Sequence, residues 1–190
     1  TETRTGAGGA LTVNVGVLSA MKTSRPARFM LFLLMVLPVG NHLFAADPSL
    51  PSPDSMKDVA QRSIERDIPI VVFISRDACP YCRTLRNSIL APMIAADKFD
   101  RRAMVVEVSL DRIDAMTGFD GGRTTARAFG EAYQAQITPT LLFLDSEGLE
   151  ISKRRVGIPN LEFYTHYLNE SINEALLVVQ GRSDKRQQAR

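Results

Sequence analysis

The chain has 190 residues, of which 45% are hydrophobic and 23% are charged, and its formal net charge is +2. These values exclude a disordered chain, a collagen-like repeat and a protein with many membrane spans, and they predict one globular domain with its own core. Two Cys and two His exclude a disulfide-rich scaffold and a four-Cys zinc site, so we expect no metal site and no cofactor.

The N-terminal 45 residues carry the pattern of an export signal. Residues 1–20 show no helix or strand pattern and are predicted to be an unstructured upstream extension, with Met21 as the natural start. Basic residues then precede an apolar run of 11 residues, Phe29–Val39, which is followed by small residues. This pattern is typical of a cleaved signal peptide, since a membrane span needs about 20 apolar residues. We expect residues 21–45 to be removed and the protein to be periplasmic or secreted, without stable membrane insertion; an uncleaved anchor or a buried helix is the alternative.

The charge of the remaining chain is nearly balanced. Residues 1–45 hold four basic residues and one acidic residue, which leaves 19 basic and 20 acidic residues in the rest of the chain. A near-neutral domain has no electrostatic footprint for nucleic acid, so no nucleic-acid partner is expected. The folded domain is predicted over residues 46–182, and the basic residues 183–190 are predicted to be a flexible tail.

Helix and strand patterns alternate along this domain. Asp54 or Ser55 can cap a first helix, which the apolar periodicity after them predicts to end near Arg66. The continuous, β-branched apolar run over 68–75 predicts a strand buried on both faces. In chain order, the predicted elements are a helix over 55–66, a strand over 68–75, a helix over 83–91 with a kink or new start at Pro92, a strand over 103–110, a glycine-rich loop over 111–123, a helix over 125–133, a strand over 138–145, an antiparallel strand over 149–156 and a helix over 160–178. This order predicts an α/β fold with a central mixed sheet and helices on both faces.

A pair of cysteines separated by two residues, Cys79-Pro80-Tyr81-Cys82, lies between the first strand and the next helix. At a helix start, unpaired backbone N–H groups and the helix dipole favour an anion. We therefore expect the Cys79 thiol to have a pKa below about 7.5 and to be the nucleophile. Cys82, one turn further on, can attack a mixed disulfide on Cys79 and release the partner. Pro80 suits an early helical position, where its missing N–H is not needed.

Two structural interpretations compete with a redox role. Half of a zinc site is disfavoured because there are no other cysteines and one of the two His lies in the signal segment. A purely structural disulfide fits an oxidising compartment, but a bridge across so short a loop constrains little of the unfolded chain. The position between strand and helix favours redox chemistry.

These residues resemble the thioredoxin superfamily, and more closely its exported single-domain members. Residues 71–83 look like the family's active-site strand, turn and helix, residues 133–144 like its cis-proline segment, and Val156-Gly157 with the final helix like its C-terminal part. The likeness covers about residues 54–178. It implies that Cys79 and Cys82 form the redox-active disulfide and that Pro139 is cis beside it. It also implies that Thr138, with Pro80 and Tyr81, contributes to substrate binding.

The sequence departs from thioredoxin itself at two positions. Ala78 stands where thioredoxin has a Trp, and Phe73 where it has a buried Asp. Glu107, within an apolar run, is a candidate to replace that carboxyl as the proton acceptor of Cys82, because burial would raise its pKa. The alternative is an ordinary glutamate at a strand end or edge.

The resemblance implies a thiol–disulfide oxidoreductase, and the Thr before the proline favours the reductase and isomerase side of the periplasmic family. Reduction in an oxidising compartment needs electrons, so a membrane disulfide reductase is the expected donor and proteins with disulfides or thiols are the expected clients. The alternatives are a disulfide oxidase or isomerase, and a non-catalytic module that binds a partner or delivers a metal through Cys79 and Cys82.

Overall fold

The computed structural model describes residues 50–188. The predicted upstream extension and signal peptide, residues 1–45, lie outside the described residues, and so do residues 189–190. The elements in chain order are α1 (Met56–Arg66), β1 (Ile70–Ser75), α2 (Pro80–Leu85), a π-helical turn (Arg86–Leu90), α3 (Ala91–Ala95), β2 (Met104–Ser109), β3 (Ala115–Thr117), β4 (Arg123–Thr125), α4 (Ala126–Ala132), β5 (Thr140–Leu144), β6 (Glu150–Val156) and α5 (Tyr164–Gln188).

Four strands form the central sheet in the order β2-β1-β5-β6. β1 and β2 run parallel, whereas β5 is antiparallel to β1 and β6 is antiparallel to β5. All residues of β1 and β5 are buried, as the continuous apolar runs in their sequences predict. The sheet is therefore mixed, and the predicted α/β fold class is confirmed.

The two faces of the sheet pack against different helices because side chains alternate along each strand. Val71 and Phe73 of β1 face the cluster that holds both cysteines, α3 and the buried side of α5. Val72 and Ile74 face the cluster that contains α1 and α4. Helices thus cover both faces, and both cysteines belong to one of the two cores.

The helical segment that begins between the two cysteines is continuous, but it contains a π-helical turn. It begins at Pro80, changes to a π-helical turn at Arg86 and resumes as α3 at Ala91. Pro92 lies in the first turn of α3, where a missing N–H is tolerated. The sequence predicted a kink or new start here, and the π-helical turn that provides it was not predicted.

A short hairpin over residues 115–125 occupies most of the predicted loop over 111–123 and extends two residues beyond it. β3 pairs with β4, and Gly118 N donates to Gly122 O over 2.8 Å to close the connection between them. The Asp120 carboxylate accepts a hydrogen bond from Gly122 N in the same turn. Strands of three residues are too short for a periodic pattern, so the sequence did not indicate them.

The C-terminal helix is longer than the sequence predicted. α5 runs to Gln188, through residues 183–188 that were expected to form a flexible basic tail. Ser183 is buried and donates to Asp67 Oδ1 over 2.6 Å, and Arg182 forms an ion pair with the buried carboxylate of Asp145. These contacts fasten the last turns of α5 to the end of α1 and the end of β5. Within residues 50–188, no helix combines the length and apolar character needed to cross a membrane.

Candidate active site

The two cysteines are joined by a disulfide at the start of α2, and their Cα atoms are 5.2 Å apart. β1 ends at Ser75, and a short turn connects it to Cys79 at the start of α2. Cys79 is the N-cap of α2 with extended backbone angles, and its sulfur accepts a hydrogen bond from Cys82 N over 3.1 Å. Pro80 is the first residue of the helix, as expected. The sulfur of Cys79 therefore occupies the position that caps a helix, where negative charge is favoured.

The two cysteines differ in solvent exposure. Cys79 retains 8% of its surface, whereas Cys82 is fully buried. Tyr81, between them, is 65% exposed. An incoming thiol or disulfide can therefore approach Cys79, while Cys82 reacts with groups already bound to its neighbour.

The loop before β5 lies against Cys79. The Thr138 hydroxyl donates to Cys79 Sγ over 3.6 Å, and the Thr138–Pro139 peptide bond is cis. The carbonyl of Pro139 accepts a hydrogen bond from Gly157 N over 2.8 Å, which ties the loop to the end of β6. Ile137, the residue before Thr138, is 69% exposed. The fold thus brings together the five predicted residues at 79–82 and 138, with Pro139 next to them.

Glu107 lies beneath this site in β2, where it pairs in register with Phe73 of β1. Its side chain is buried and forms an ion pair with Arg86, and Ser75 donates to the same carboxylate. Arg86 Nε donates to the second carboxylate oxygen over 3.1 Å. The Arg86 guanidinium also lies 5.7 Å from the centroid of the Phe73 ring. Glu107 therefore lies in an edge strand of the sheet, as the alternative interpretation expected, but its side chain is buried and paired with Arg86 and Ser75.

Arg86 is a site residue that the sequence analysis missed. It follows Cys82 by four residues, so the helical repeat puts it on the same side of the helix. That spacing was the only sign in the sequence that Arg86 belongs to the site. Its partner, Glu107, could not be inferred, because the pairing depends on how the helix packs on β2.

A second missed group fixes the turn before Cys79. The Asp111 carboxylate accepts hydrogen bonds from Asp77 N over 2.9 Å and from the Arg76 guanidinium over 2.9 Å. Ser109 donates to the Asp77 carboxylate over 3.0 Å. The chain just after β2 therefore holds the chain just before the cysteines.

The arrangement suits thiol–disulfide exchange. It provides a cysteine with some surface access at a helix start, a fully buried cysteine bonded to it, and the Thr138–Pro139 loop in contact with the first sulfur. Within residues 50–188, the structure holds no group of three or more His, Cys, Asp and Glu side chains arranged for a metal ion.

The fold and this site define a thioredoxin-fold protein with a disulfide-forming CXXC pair. The family model described as a thioredoxin-like domain matches residues 56–172, more than half of the chain. The chain belongs to this family. No curated protein sequence matches it.

Solved structures of thioredoxin-fold proteins are similar to this chain. A structure described as DsbH oxidoreductase matches with a TM-score of 0.50 and 18% identity, over 67% of this chain and 88% of that one. Thioredoxin from Fasciola hepatica matches with a TM-score of 0.44 and 19% identity, over 66% of this chain and 99% of that one. Mitochondrial thioredoxin 3 from Saccharomyces cerevisiae matches with a TM-score of 0.46 and 13% identity, over 67% and 97%. At these identities the likeness concerns the fold alone.

Proposed function

We propose that this protein is an exported thiol–disulfide oxidoreductase that reduces disulfides in client proteins. The observation that carries the proposal is the geometry of the cysteine pair: Cys79 caps a helix beside Thr138 and retains 8% of its surface, while Cys82, one turn further on, is fully buried.

The reaction has two exchanges. In the reduced protein, the Cys79 thiolate attacks one sulfur of a client disulfide, which forms a mixed disulfide and releases the other client sulfur as a thiolate. The Cys82 thiol then loses its proton and attacks Cys79 Sγ, which forms the Cys79–Cys82 disulfide and releases the second client thiolate. The client gains the two electrons that the protein loses, and its two released thiolates take up one proton that Cys82 gives up and one from water. A membrane disulfide reductase is the proposed donor that returns them.

The proposed client-binding surface consists of Tyr81, Ile137 and the backbone of Thr138. An extended client segment would pair with the backbone of Thr138, and main-chain hydrogen bonds would make recognition tolerant of client sequence. Tyr81 lies two residues after Cys79, Ile137 lies one residue before Thr138, and both side chains are mostly exposed. They offer apolar surface to the same segment.

Glu107 is the proposed acceptor of the Cys82 proton, and Arg86 and Ser75 hold its carboxylate in place beneath the helix. This role predicts that Glu107→Gln slows release of the client from the mixed disulfide near neutral pH by roughly a hundredfold, the lower end of general acid–base contributions. The first exchange, attack by Cys79, should keep its rate. Ser75→Ala is the matched control, because it removes one hydrogen bond and leaves the carboxylate. Equal release rates in Glu107→Gln and the parent protein would assign Glu107 a structural role.

Insulin reduction tests the activity itself. The parent protein should reduce insulin with a chemical thiol donor, Cys79→Ser should be inactive, and Cys82→Ser should accumulate a mixed disulfide that gel electrophoresis detects. A parent protein that behaves like Cys79→Ser would support the alternative of a non-catalytic binding or metal-delivery module.

The standard reduction potential decides the direction of electron flow. A reductase should lie near the value of thioredoxin, about −270 mV, and a dedicated oxidase near about −120 mV. Equilibration with glutathione or dithiothreitol gives the value. A potential at the oxidising end would replace the proposed reductase with the oxidase or isomerase alternative.

Export rests on the sequence pattern of residues 21–45 and has its own test. N-terminal sequencing of the protein recovered from its compartment should find a start near Ala46 or Asp47. Recovery of membrane-bound protein that retains Met21 would contradict it.

A further inference from the structure

The turn that leads to Cys79 lies beside the end of β2. β1 and β2 run parallel and pair Ser75 with Ser109 at their last residues, and Leu110 N donates to Ser75 O over 2.9 Å. The chain therefore leaves both strands on the same side of the sheet, and residues 76–78 and 110–112 lie next to each other. This places a carboxylate of the second segment, that of Asp111, against the turn that enters the active site.

The Asp111 carboxylate reaches two donors in this turn. One oxygen accepts a hydrogen bond from Asp77 N over 2.9 Å, and the other accepts one from the Arg76 guanidinium over 2.9 Å. Hydrogen bonds to an ionised group are stronger than neutral ones. The side chains of Arg76 and Asp111 are 36% and 32% exposed, so solvent weakens their ion pair. The hydrogen bond from Asp77 N is therefore the contact that restrains the backbone of the turn.

The turn has few other supports. Within residues 50–188, every hydrogen bond that joins residues 76–78 to a distant part of the chain involves the side chain of Asp111 or Ser109. The Ser109 hydroxyl donates to Asp77 Oδ1 over 3.0 Å. The segment that carries Asp111 is itself anchored, since Arg112 N donates to Ser109 O over 3.1 Å and the Arg112 guanidinium donates to a backbone carbonyl before α1 over 2.9 Å. A carboxylate on an anchored segment thus holds the turn.

The position of this turn matters for the Cys79 sulfur. Cys79 is the N-cap of α2, with φ −111° and ψ 103°, and these extended angles let its side chain meet the N–H groups of the first helical turn. Its sulfur accepts hydrogen bonds from Cys82 N over 3.1 Å and from the Thr138 hydroxyl over 3.6 Å. Asp77 precedes Cys79 by two residues, so a displaced turn alters the backbone from which the sulfur meets both donors.

We propose that Asp111 is a positioning residue for Cys79, because it holds the preceding turn in the place where the sulfur keeps both donors. The inference rests on the proposed function and adds to it a residue outside the cysteine and proline segments. Asp111 acts through Asp77 N, and its side chain makes no hydrogen bond to the sulfur in the described part of the chain. Two donors stabilise the negative charge of a thiolate, so this restraint keeps Cys79 reactive in the reduced protein.

A direct effect of the Asp111 charge on the sulfur would have the opposite sign. A nearby negative charge disfavours a thiolate, so removal of that charge would make Cys79 more reactive. Loss of the restraint on Asp77 N, by contrast, should make Cys79 less reactive, and an uncharged acceptor of the same shape should restore the parent reactivity. Alanine and asparagine at position 111 therefore distinguish the two effects.

The rate at which iodoacetamide labels Cys79 in the reduced protein at pH 7 provides the test. Asp111→Ala removes the acceptor and should label about fivefold more slowly, within the range expected for one hydrogen bond. Asp111→Asn retains an acceptor oxygen for Asp77 N without the charge and should label like the parent. Asp111→Glu retains the charge but displaces the carboxylate by one methylene, and it should also label more slowly.

Two controls accompany these variants. Asp114→Ala removes an exposed carboxylate from the same loop, and should label like the parent, because the Asp114 side chain has no hydrogen bond or ion pair within residues 50–188. Cys82 should stay unlabelled in every variant until denaturant is added, which shows that the core around it is intact.

Equal labelling rates in Asp111→Ala and the parent would overturn the proposal, and so would slow labelling in Asp111→Asn or faster labelling in both variants. If Asp111→Ala does not fold, the other two variants decide: parent-like Asp111→Asn with slower Asp111→Glu supports positioning, and the reverse order contradicts it. Labelling requires no client protein. A parent protein that reduces no insulin would therefore remove the proposed function, while the labelling rates would still decide the role of Asp111.

Discussion

The Thr138 hydroxyl donates to the sulfur of Cys79 over 3.6 Å, although 59 residues separate them in the chain. This contact joins the start of α2 to the loop before β5. It also gives the Cys79 sulfur a second hydrogen-bond donor besides Cys82 N. Two donors on one sulfur favour its thiolate form in the reduced protein.

Thr138→Val should lower the reactivity of Cys79, because valine has the shape of threonine without the donor. We expect the alkylation rate at pH 7 to fall about three- to tenfold, as the loss of roughly 1 kcal/mol of hydrogen bonding predicts. Thr138→Ser keeps a hydroxyl and should react like the parent. The measurement is the rate of iodoacetamide labelling followed by mass spectrometry. Unchanged labelling in the valine variant would show that the contact does not stabilise the thiolate.

The two cysteines should label in a fixed order. In the reduced protein near neutral pH, iodoacetamide should modify Cys79 first, because Cys79 is the more exposed sulfur and lies at the helix start. Cys82 should react only after denaturant is added. Peptide mapping of partly labelled protein provides the order, and equal labelling of both cysteines would contradict the assigned roles.

The ion pair between Arg86 and Glu107 should contribute to stability as a coupled unit. Arg86→Met and Glu107→Gln should each lower the free energy of unfolding by about 3 kcal/mol, because each removes one partner of a largely buried ion pair. The double variant should lose clearly less than the sum of the two. Urea denaturation measures all three, and Arg83→Met, at an exposed position on the same helix, is the control with a change below about 0.5 kcal/mol. Additive losses would mean that the two side chains do not interact.

Stability should fall between about pH 10 and pH 12. Burial, with the charges of Asp145 and Glu150 as smaller causes, raises the pKa of Tyr133 to about 12. Burial raises the pKa of Tyr164 to about 12 as well. Below pH 10 both tyrosines are protonated in the folded and unfolded states, so they add no pH dependence. Above pH 10 the unfolded chain loses these protons while the folded protein keeps them, so rising pH favours unfolding.

Urea denaturation of the oxidised protein at pH 9 and pH 11 checks this sign. The parent protein should lose more stability over that interval than the double variant Tyr133→Phe/Tyr164→Phe, which has no phenol at either position. A decrease of the same size in both proteins would assign the pH dependence to other groups.

The end of α5 should matter for stability. Deletion of residues 182–190 removes the ion pair to Asp145 and the hydrogen bond from Ser183 to Asp67, and should cost about 2 kcal/mol, the range of hydrogen bonds to charged groups. Deletion of residues 187–190 alone is the control and should change little. Denaturation midpoints give both values, and an unchanged midpoint in the longer deletion would restore the expectation of a flexible tail.

The sequence was informative where local pattern decides the structure. The β-branched run at 70–75 and the cap at Ser55 are local signals, and both correspond to elements of the fold. The cysteine pair, with Pro80 at the helix start, was also visible in a single segment. The proline loop needed the family resemblance, because nothing in the residues alone placed Thr138 against a sulfur.

The contacts that surround the cysteines were not visible for a different reason. Arg86 meets Glu107 across 21 residues, and Asp77 meets Asp111 across 34 residues. Each contact depends on the register of β2 against β1, which pairs Phe73 with Glu107. A shift of one residue would turn Glu107 to the opposite face, so no reading of either segment alone could supply the partner.

The sheet separates two kinds of mutational effect. Phe73 and Leu141 share a cluster with both cysteines, whereas Val72 and Leu142, their neighbours in the chain, pack against the opposite helices. A change of volume at Phe73 alters the support of the reactive sulfurs directly, while a similar change at Val72 acts on them only through the backbone of β1. Stabilising substitutions and reporter labels are therefore best placed on the α1 and α4 side of the sheet, where they should leave the redox chemistry of the cysteines unchanged.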